Sequence, residues 1–526
     1  MQDVQVVLGV VALAAVIATI ADRLRVPAPA LLVLAGLGVG LVPGVPDVHV
    51  GPDVVGLIVL PPLIYAGAAA VVLPDLRRVA LPVGALAVGL VAVTATAVAV
   101  VLHVVAPTVS LRVGFVLGAV LASTDPVAVT ALVRLVQLPP RLLALVQGES
   151  LLNDATSLVL FRVALATVAS ATSGLGAAGA FLRLAGGGVL VGLVAAVLAG
   201  WLRRGSRDAV LAVVVTLLTP YAAYVAAESL ELSGVTAVVV AGLGAAPRDP
   251  GSGSAAARVA VATVYDVVVF VLESGIFALI GLQLPTLLRQ LPDGEPAPLP
   301  LVLVITVVLL AVRLLWVAPT ARVSAGFHAS RGAEGGTPSW RLAAVATWAG
   351  TRGVVPLAAA LSIPVTAGAT AFPHRDLLLV IASGVIVVTL VLQGLTLGPL
   401  VRWLEVGDDP LRLAREESLA RHAAALAARA RLEEILDAEA APVVVAERLR
   451  RDVDERLRRT ALRLEPVEDP KRAEPVSTGE AYRRLRRDLL AAEAAALLRL
   501  RDEGTLGEVV RRRLQAALDA ESTGLR

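Results

Sequence analysis

Cysteine is absent from this 526-residue chain, lysine appears once, at Lys471, and histidine occurs five times. Without cysteine there is no disulfide framework and no thiolate metal site. The histidines (His49, His103, His328, His374 and His422) are dispersed, and none forms the HExxH pair that an intramembrane metal hydrolase would need. No GxxxxGK[ST] run is present, which argues against a nucleotide-driven machine. Charge is scarce too: 17% of residues are charged and 57% hydrophobic, with a mean hydropathy of +0.81. A soluble chain of this length carries far more charge. The net charge of +3 is small and gives no reason to expect a nucleic-acid partner. Arginine supplies nearly all the basic residues amid abundant Ala, Gly, Val and Leu, a bias typical of GC-rich bacterial genomes. No basic stretch precedes the first apolar run, so a cleaved signal peptide is not expected.

What is there is a series of apolar blocks. A helix of ~20 apolar residues crosses the hydrocarbon core, and backbone in lipid must satisfy its own hydrogen bonds. Thirteen spans are expected, at roughly 4–21, 27–44, 53–72, 79–104, 111–136, 143–170, 178–202, 208–228, 232–246, 256–284, 300–323, 340–363 and 377–401. Arginines cluster in alternate loops: Arg23 and Arg25; Arg77 and Arg78; Arg134 and Arg141; Arg203, Arg204 and Arg207; Arg248 and Arg258; Arg322, Arg331 and Arg341. The other loops hold at most one each: Arg112, Arg183, Arg289 and Arg375. Basic loops stay in the cytoplasm. With an odd number of spans, the N-terminus is then outside and the C-terminal tail inside. Two regions are expected: a membrane domain, 1–404, and a soluble helical tail, 405–526, whose apolar residues recur at helical spacing between charges and whose helices are punctuated by Pro442, Pro466, Pro470 and Pro475. The tail could serve packing or oligomerisation, sense an ion or pH, or rest its arginine-rich faces on anionic lipid.

Two aspartates lie within apolar blocks: Asp125 in FVLGAVLASTDPVAVTALV and Asp154 in GESLLNDATSLVLF. A charge at mid-membrane costs at least ~2.5–3.5 kcal/mol on insertion scales, so it points to an ion or proton pathway. The fifth span is broken at Ser123-Thr124-Asp125-Pro126, because proline removes a donor and disfavours helix before it. The twelfth has a matching weak point at Gly350-Thr351-Arg352-Gly353. Spans 1–6 and 8–13 would then form two inverted six-helix halves, and interrupted segments at equivalent places in such halves mark a transporter's midplane site. Broken helices expose opposite partial charges. Asp125 and Arg352 can neutralise these ends; whether Asp125 caps a half-helix or touches the ion is left open. In the sixth span, Ser150 and Asp154 share a face one turn apart, aimed at the break, with Ser157 in the same polar run; Glu149 and Asn153 stack on the next stripe as an expected hydrogen-bonded pair. Such oxygen donors suit a hard cation like Na⁺.

At these residues the chain resembles the monovalent cation:proton antiporter superfamily, in its bacterial sodium/proton exchanger branch (the NhaP-like exchangers related to the animal ones). The resemblance covers about residues 5–402, through Leu60-Pro61-Pro62, Thr124-Asp125-Pro126, Gly148 to Ala155, Tyr224 to Gly234, Phe277 to Leu284 and Arg352-Gly353. It implies an all-α membrane protein that exchanges Na⁺, with Li⁺ also possible as cargo, for H⁺ by alternating access, in the cytoplasmic membrane and as a homodimer. It implies that Asp154 binds cation and proton alternately, that Ser150 and the Thr124 carbonyl complete the site with Asp125 close by through water, and that Asn153 replaces a second Asp found in electrogenic relatives. Glu149 and Arg352 would hold the crossed helices, and Glu228 and Glu273 would be structural or access-related. The chain departs at Ala66, where some relatives carry an acid. Beyond the transported ions no cofactor is expected. K⁺/H⁺ exchange on the same fold is the nearest rival; a cation channel would advertise a filter loop, and none is visible.

Overall fold

A computed structural model describes residues 2–24, 27–43, 55–71, 76, 83–125, 140–169, 174–204, 208–245, 255–292, 294–329, 339–367, 370–406, 410–438, 443–462 and isolated stretches between 485 and 521. The chain separates into two compact units, Met1–Gly407 and Asp408–Arg526.

The first unit is helical: α1 (Gln2–Leu24), α2 (Ala28–Gly40), α3 (Leu60–Ala70), α4 (Val91–Val105), α5 (Leu111–Ala122), α6 (Pro140–Ala169), α7 (Gly174–Arg204), α8 (Ala209–Ser229), α9 (Gly234–Ala245), α10 (Ala255–Arg289), α11 (Pro298–Ala329), α12 (Ser339–Trp348), α13 (Val354–Leu361) and α14 (Arg375–Trp403). Wider π-turns at Val55–Val59 and Ala85–Leu90 lead into α3 and α4. A two-strand hairpin, β1 (Thr366–Ala367) and β2 (Thr370–Ala371), precedes α14. A helix or broken helix lies at each of the thirteen expected segments; of the fifth, only the half ending at Asp125 is described, and Pro126 lies outside the described residues. Among the described residues, seven helical stretches are long and apolar enough to cross a membrane, and shorter apolar helices accompany them.

Polar side chains inside these apolar helices satisfy themselves locally. Thr96, Thr216, Thr219, Thr306 and Thr347 each donate to the carbonyl four residues back, at 2.6–2.8 Å. This back-bonding lets a hydroxyl sit in an apolar setting without a tertiary partner. Packing then relies on small residues. α2 and α10 touch backbone to backbone: a Cβ at Gly36 would fall 2.2 Å from the Ala278 carbonyl oxygen, and one at Gly281 would fall 2.1 Å from that of Val33. Gly118 meets the Ala95 backbone in the same way and draws α5 against α4. One group of helices (α1, α2, α3, α7, α8, α9, α10) packs mainly within itself, as does a second (α4, α5, α6, α11, α12, α13, α14).

Among the described residues the second unit contains a helix pair, α15 (Pro410–Ala438) and α16 (Val443–Leu462). Arg450 pairs with Glu433 at 2.7 Å, Arg429 with Asp454 at 3.7 Å, and His422 with Thr460 at 2.9 Å. As numbers rise along one helix they fall along the other, so the pair is antiparallel.

Candidate functional site

A helix ends at each of the two predicted weak points, and the two segments meet. α5 ends at Ala122, and Ser123 leaves it in an extended conformation (φ −67°, ψ 145°). α12 ends at Trp348, and α13 begins at Val354 after Gly353. The Asp125 N–H donates to the Thr351 carbonyl at 2.8 Å, and the Thr351 hydroxyl donates to the Asp125 carbonyl at 2.9 Å. The Asp125 carboxylate accepts the Val354 N–H at 3.3 Å, so it caps α13 at its positive end. Arg352 donates through Nη1 to the Gly350 carbonyl at 2.7 Å, beside the negative end of α12. Its backbone N–H reaches the Thr389 hydroxyl of α14 at 3.4 Å. Asp125 thus serves the positive end of α13 and Arg352 the negative end of α12, the two helix ends of the Gly350–Gly353 break.

Helix α6 runs against the first break and reads it residue by residue. The Ser123 hydroxyl donates to Asp154 Oδ1. Asn153 donates through Nδ2 to the Thr124 hydroxyl at 2.7 Å, and its Oδ1 accepts the Thr124 N–H at 3.4 Å. The Ser150 hydroxyl donates to the Thr124 carbonyl at 2.7 Å. Ser150 and Asp154, one turn apart on α6, thus meet the break as the spacing predicts, and Asn153 joins them there on Thr124. The cluster is buried except for Asp154 and Asp125, which are partly exposed. Its donors are one carboxylate, hydroxyls and a carbonyl: hard oxygens, with one group that can exchange a proton.

One expectation is corrected. Glu149 does not pair with Asn153. It binds Arg313 of α11 in a bidentate fork, Nη1 to Oε1 at 2.5 Å and Nη2 to Oε2 at 2.8 Å, with both side chains at most 3% exposed. Planar guanidinium matches carboxylate better than an amide does. Glu149 reaches α12 through this guanidinium: Arg313 Nε and Nη2 also donate to the Ala346 carbonyl, both at 3.1 Å. Ser157 is buried, and its hydroxyl bonds the Asp154 carbonyl of its own helix at 3.1 Å. Arg313 was findable, since it stands alone in LVLVITVVLLAVRLLW, the same signal that singled out Asp125 and Asp154.

Two further acids lie on other helices. Glu228 accepts from Arg162 of α6 at 2.5 Å and from the Gly234 N–H at 3.1 Å, which ties α6 to the α8–α9 turn. Glu273 on α10 is near enough to Asp125 to feel its charge.

The transmembrane sodium/hydrogen exchanger family model matches residues 10–403. The chain belongs to the sodium/hydrogen exchanger family. It is 34% identical over 530 residues to an uncharacterized Na(+)/H(+) exchanger of Mycobacterium tuberculosis, an alignment covering 99% of this chain and 96% of that one. It is 32% identical over 385 residues to a sodium, potassium, lithium and rubidium/H(+) antiporter of Bacillus pumilus, covering 71% of this chain and 57% of the relative. The solved sodium proton antiporter MjNhaP1 of Methanocaldococcus jannaschii superposes with a TM-score of 0.61 at 21% identity, over 78% of this chain and 99% of that one, which shows a shared fold. Membership makes the chain a multi-pass membrane protein of a transporter family.

Proposed function

We propose that this sodium/hydrogen exchanger moves Na⁺, and Li⁺, against H⁺ one for one by alternating access in the cytoplasmic membrane. The carrying observation is Asp154, a carboxylate set against a helix break inside the membrane domain with a neutral neighbour, Asn153, at its side. Asp154 holds either the proton or the cation. Ser150 and the Thr124 carbonyl supply further oxygens, and Asp125 and Arg352 hold the crossed half-helices. Moving either loaded form across, while the bare anion stays put, couples the two gradients. Thirteen spans in two inverted halves, an external N-terminus, a cytoplasmic tail from about 405 and a homodimer complete the reading. The alternation of arginines between loops supports the orientation.

K⁺/H⁺ exchange is the second reading, favoured by the Bacillus pumilus relative whose name includes potassium and rubidium. Purified protein in proteoliposomes decides between them. Dequenching of an internal pH dye is expected on adding Na⁺ or Li⁺, and not with K⁺. The Asp154→Asn variant should be folded and silent with every cation; exchange by it would refute the site. A C-terminal reporter active only outside the cytoplasm would refute the orientation.

A further inference from the structure

We infer that Ser123 is a positioning residue of the exchange site, the hydroxyl that accompanies Asp154 through both of its loaded forms. This rests on the reading of Asp154 given above.

The local chemistry sets Ser123 apart. Ser150 and, from the other break, Thr351 donate to backbone carbonyls, those of Thr124 at 2.7 Å and Asp125 at 2.9 Å, and not to the Asp154 carboxylate. On α6, Thr156 and Ser157 spend their proton on their own helix, on the Leu152 carbonyl at 2.9 Å and that of Asp154 at 3.1 Å. Back-bonding of that kind needs helical backbone at the hydroxyl residue. Ser123 has left the helix, with ψ at 145°, so its side chain reaches across to α6 instead. Its contact there is Asp154 Oδ1, and Ser123 is 1% exposed. Among the described residues no other side chain hydrogen-bonds the Asp154 carboxylate. Oδ2 is thereby left for a cation or a proton.

A hydroxyl has one hydrogen and two lone pairs, so it serves either form of an acid. Toward the carboxylate it donates, as here. Toward the carboxylic acid it accepts. No proton leaves Ser123 in either case: Asp154 gains or loses H⁺ to water, and the serine O–H bond stays intact and only turns. With Na⁺ at Oδ2, donation to Oδ1 fixes the rotation of the carboxylate and keeps its second oxygen aimed at the ion. A side chain that could only donate, or only accept, would favour one loaded form and stall the cycle.

The test uses the full-length protein in proteoliposomes with NaCl as the probe. Ser123→Ala is expected to fold, to raise the apparent KM for Na⁺ about tenfold or more at pH 7, in line with loss of a hydrogen bond to a charged group, and to displace the pH profile. Ser123→Thr, which keeps the hydroxyl, is expected to return both toward wild type. If Ser123→Ala does not fold, Ser123→Gly carries the comparison, since it also lacks the hydroxyl. A folded Ser123→Ala or Ser123→Gly with wild-type KM and pH profile overturns the inference. So does a shift in KM that Ser123→Thr fails to rescue. Asp154→Asn is run alongside. If it exchanges ions, the reading of the site has failed; if it is silent while Ser123→Ala behaves as wild type, only the role of Ser123 has failed.

Discussion

The carboxylate of Asp125 accepts the backbone N–H of Val354 at 3.3 Å, although the two residues are 229 positions apart. One break thus supplies the cap for the helix that the other break begins. Capping by Asp contributes about 0.5–2 kcal/mol at an ordinary helix start. Here it also sets an acidic side chain at the positive end of α13.

Asp125→Asn keeps an oxygen acceptor for Val354 but removes the charge. Asp125→Ala removes both. Exchange is expected to fall at least about tenfold in the first variant, given the larger value of charged hydrogen bonds. The second should lose further activity and some thermal stability. Comparing initial rates with thermal midpoints in the same detergent preparations checks the order; equal stability loss in both variants would contradict the cap.

Gly353 is expected to tolerate no side chain. A Cβ there would overlap the Asp125 carboxylate. Gly353→Ala should therefore reproduce the transport defect of Asp125→Ala, because it displaces the same carboxylate from Val354. Size-exclusion profiles together with dye-based exchange assays separate this from general misfolding.

Glu149 and Arg313 form a buried ion pair between α6 and α11. Removing one partner of such a pair costs about 3–5 kcal/mol, because the other charge is left alone. Glu149→Gln and Arg313→Met should each lower the thermal midpoint by several degrees. The double variant should recover much of the loss, but not all, since the Ala346 carbonyl still lacks its two donors. A double variant less stable than either single one would refute the assignment.

How much of this was legible in the sequence follows from range. The weak points, their residues and the approach of Ser150 and Asp154 could be read because each depends on spacing within one helix or on proline and glycine chemistry at one point. The partner of Glu149 could not be placed, since Arg313 is 164 residues away and only packing brings α11 against α6. A hydrogen-bonded Asn153 was the nearest candidate in sequence, and a guanidinium from another helix displaced it. Ser123 shows the same limit at short range. It was visible as part of the break, but its rotation toward Asp154 depends on where α5 stops, and that is fixed by the crossing with the Gly350–Gly353 segment.

Asn153 cannot ionise, and the cycle proposed above uses only the Asp154 proton. Exchange should then be insensitive to an imposed membrane potential. Each net charge moved would feel ~2.3 kcal/mol per 100 mV, so a dependence would be hard to miss. Rates with and without a valinomycin-set potential are the measurement. A robust change would mean that a second acid titrates, with Asp125 the first candidate.

Where α2 lies on α10, no layer of side chains separates the two backbones at Gly36 and Gly281. Shear between packed helices works by side chains sliding and repacking, and here there is nothing at the point of contact to slide. The pair is therefore expected to move as one body, so that a change in the shape of the bundle is taken up at other helix contacts.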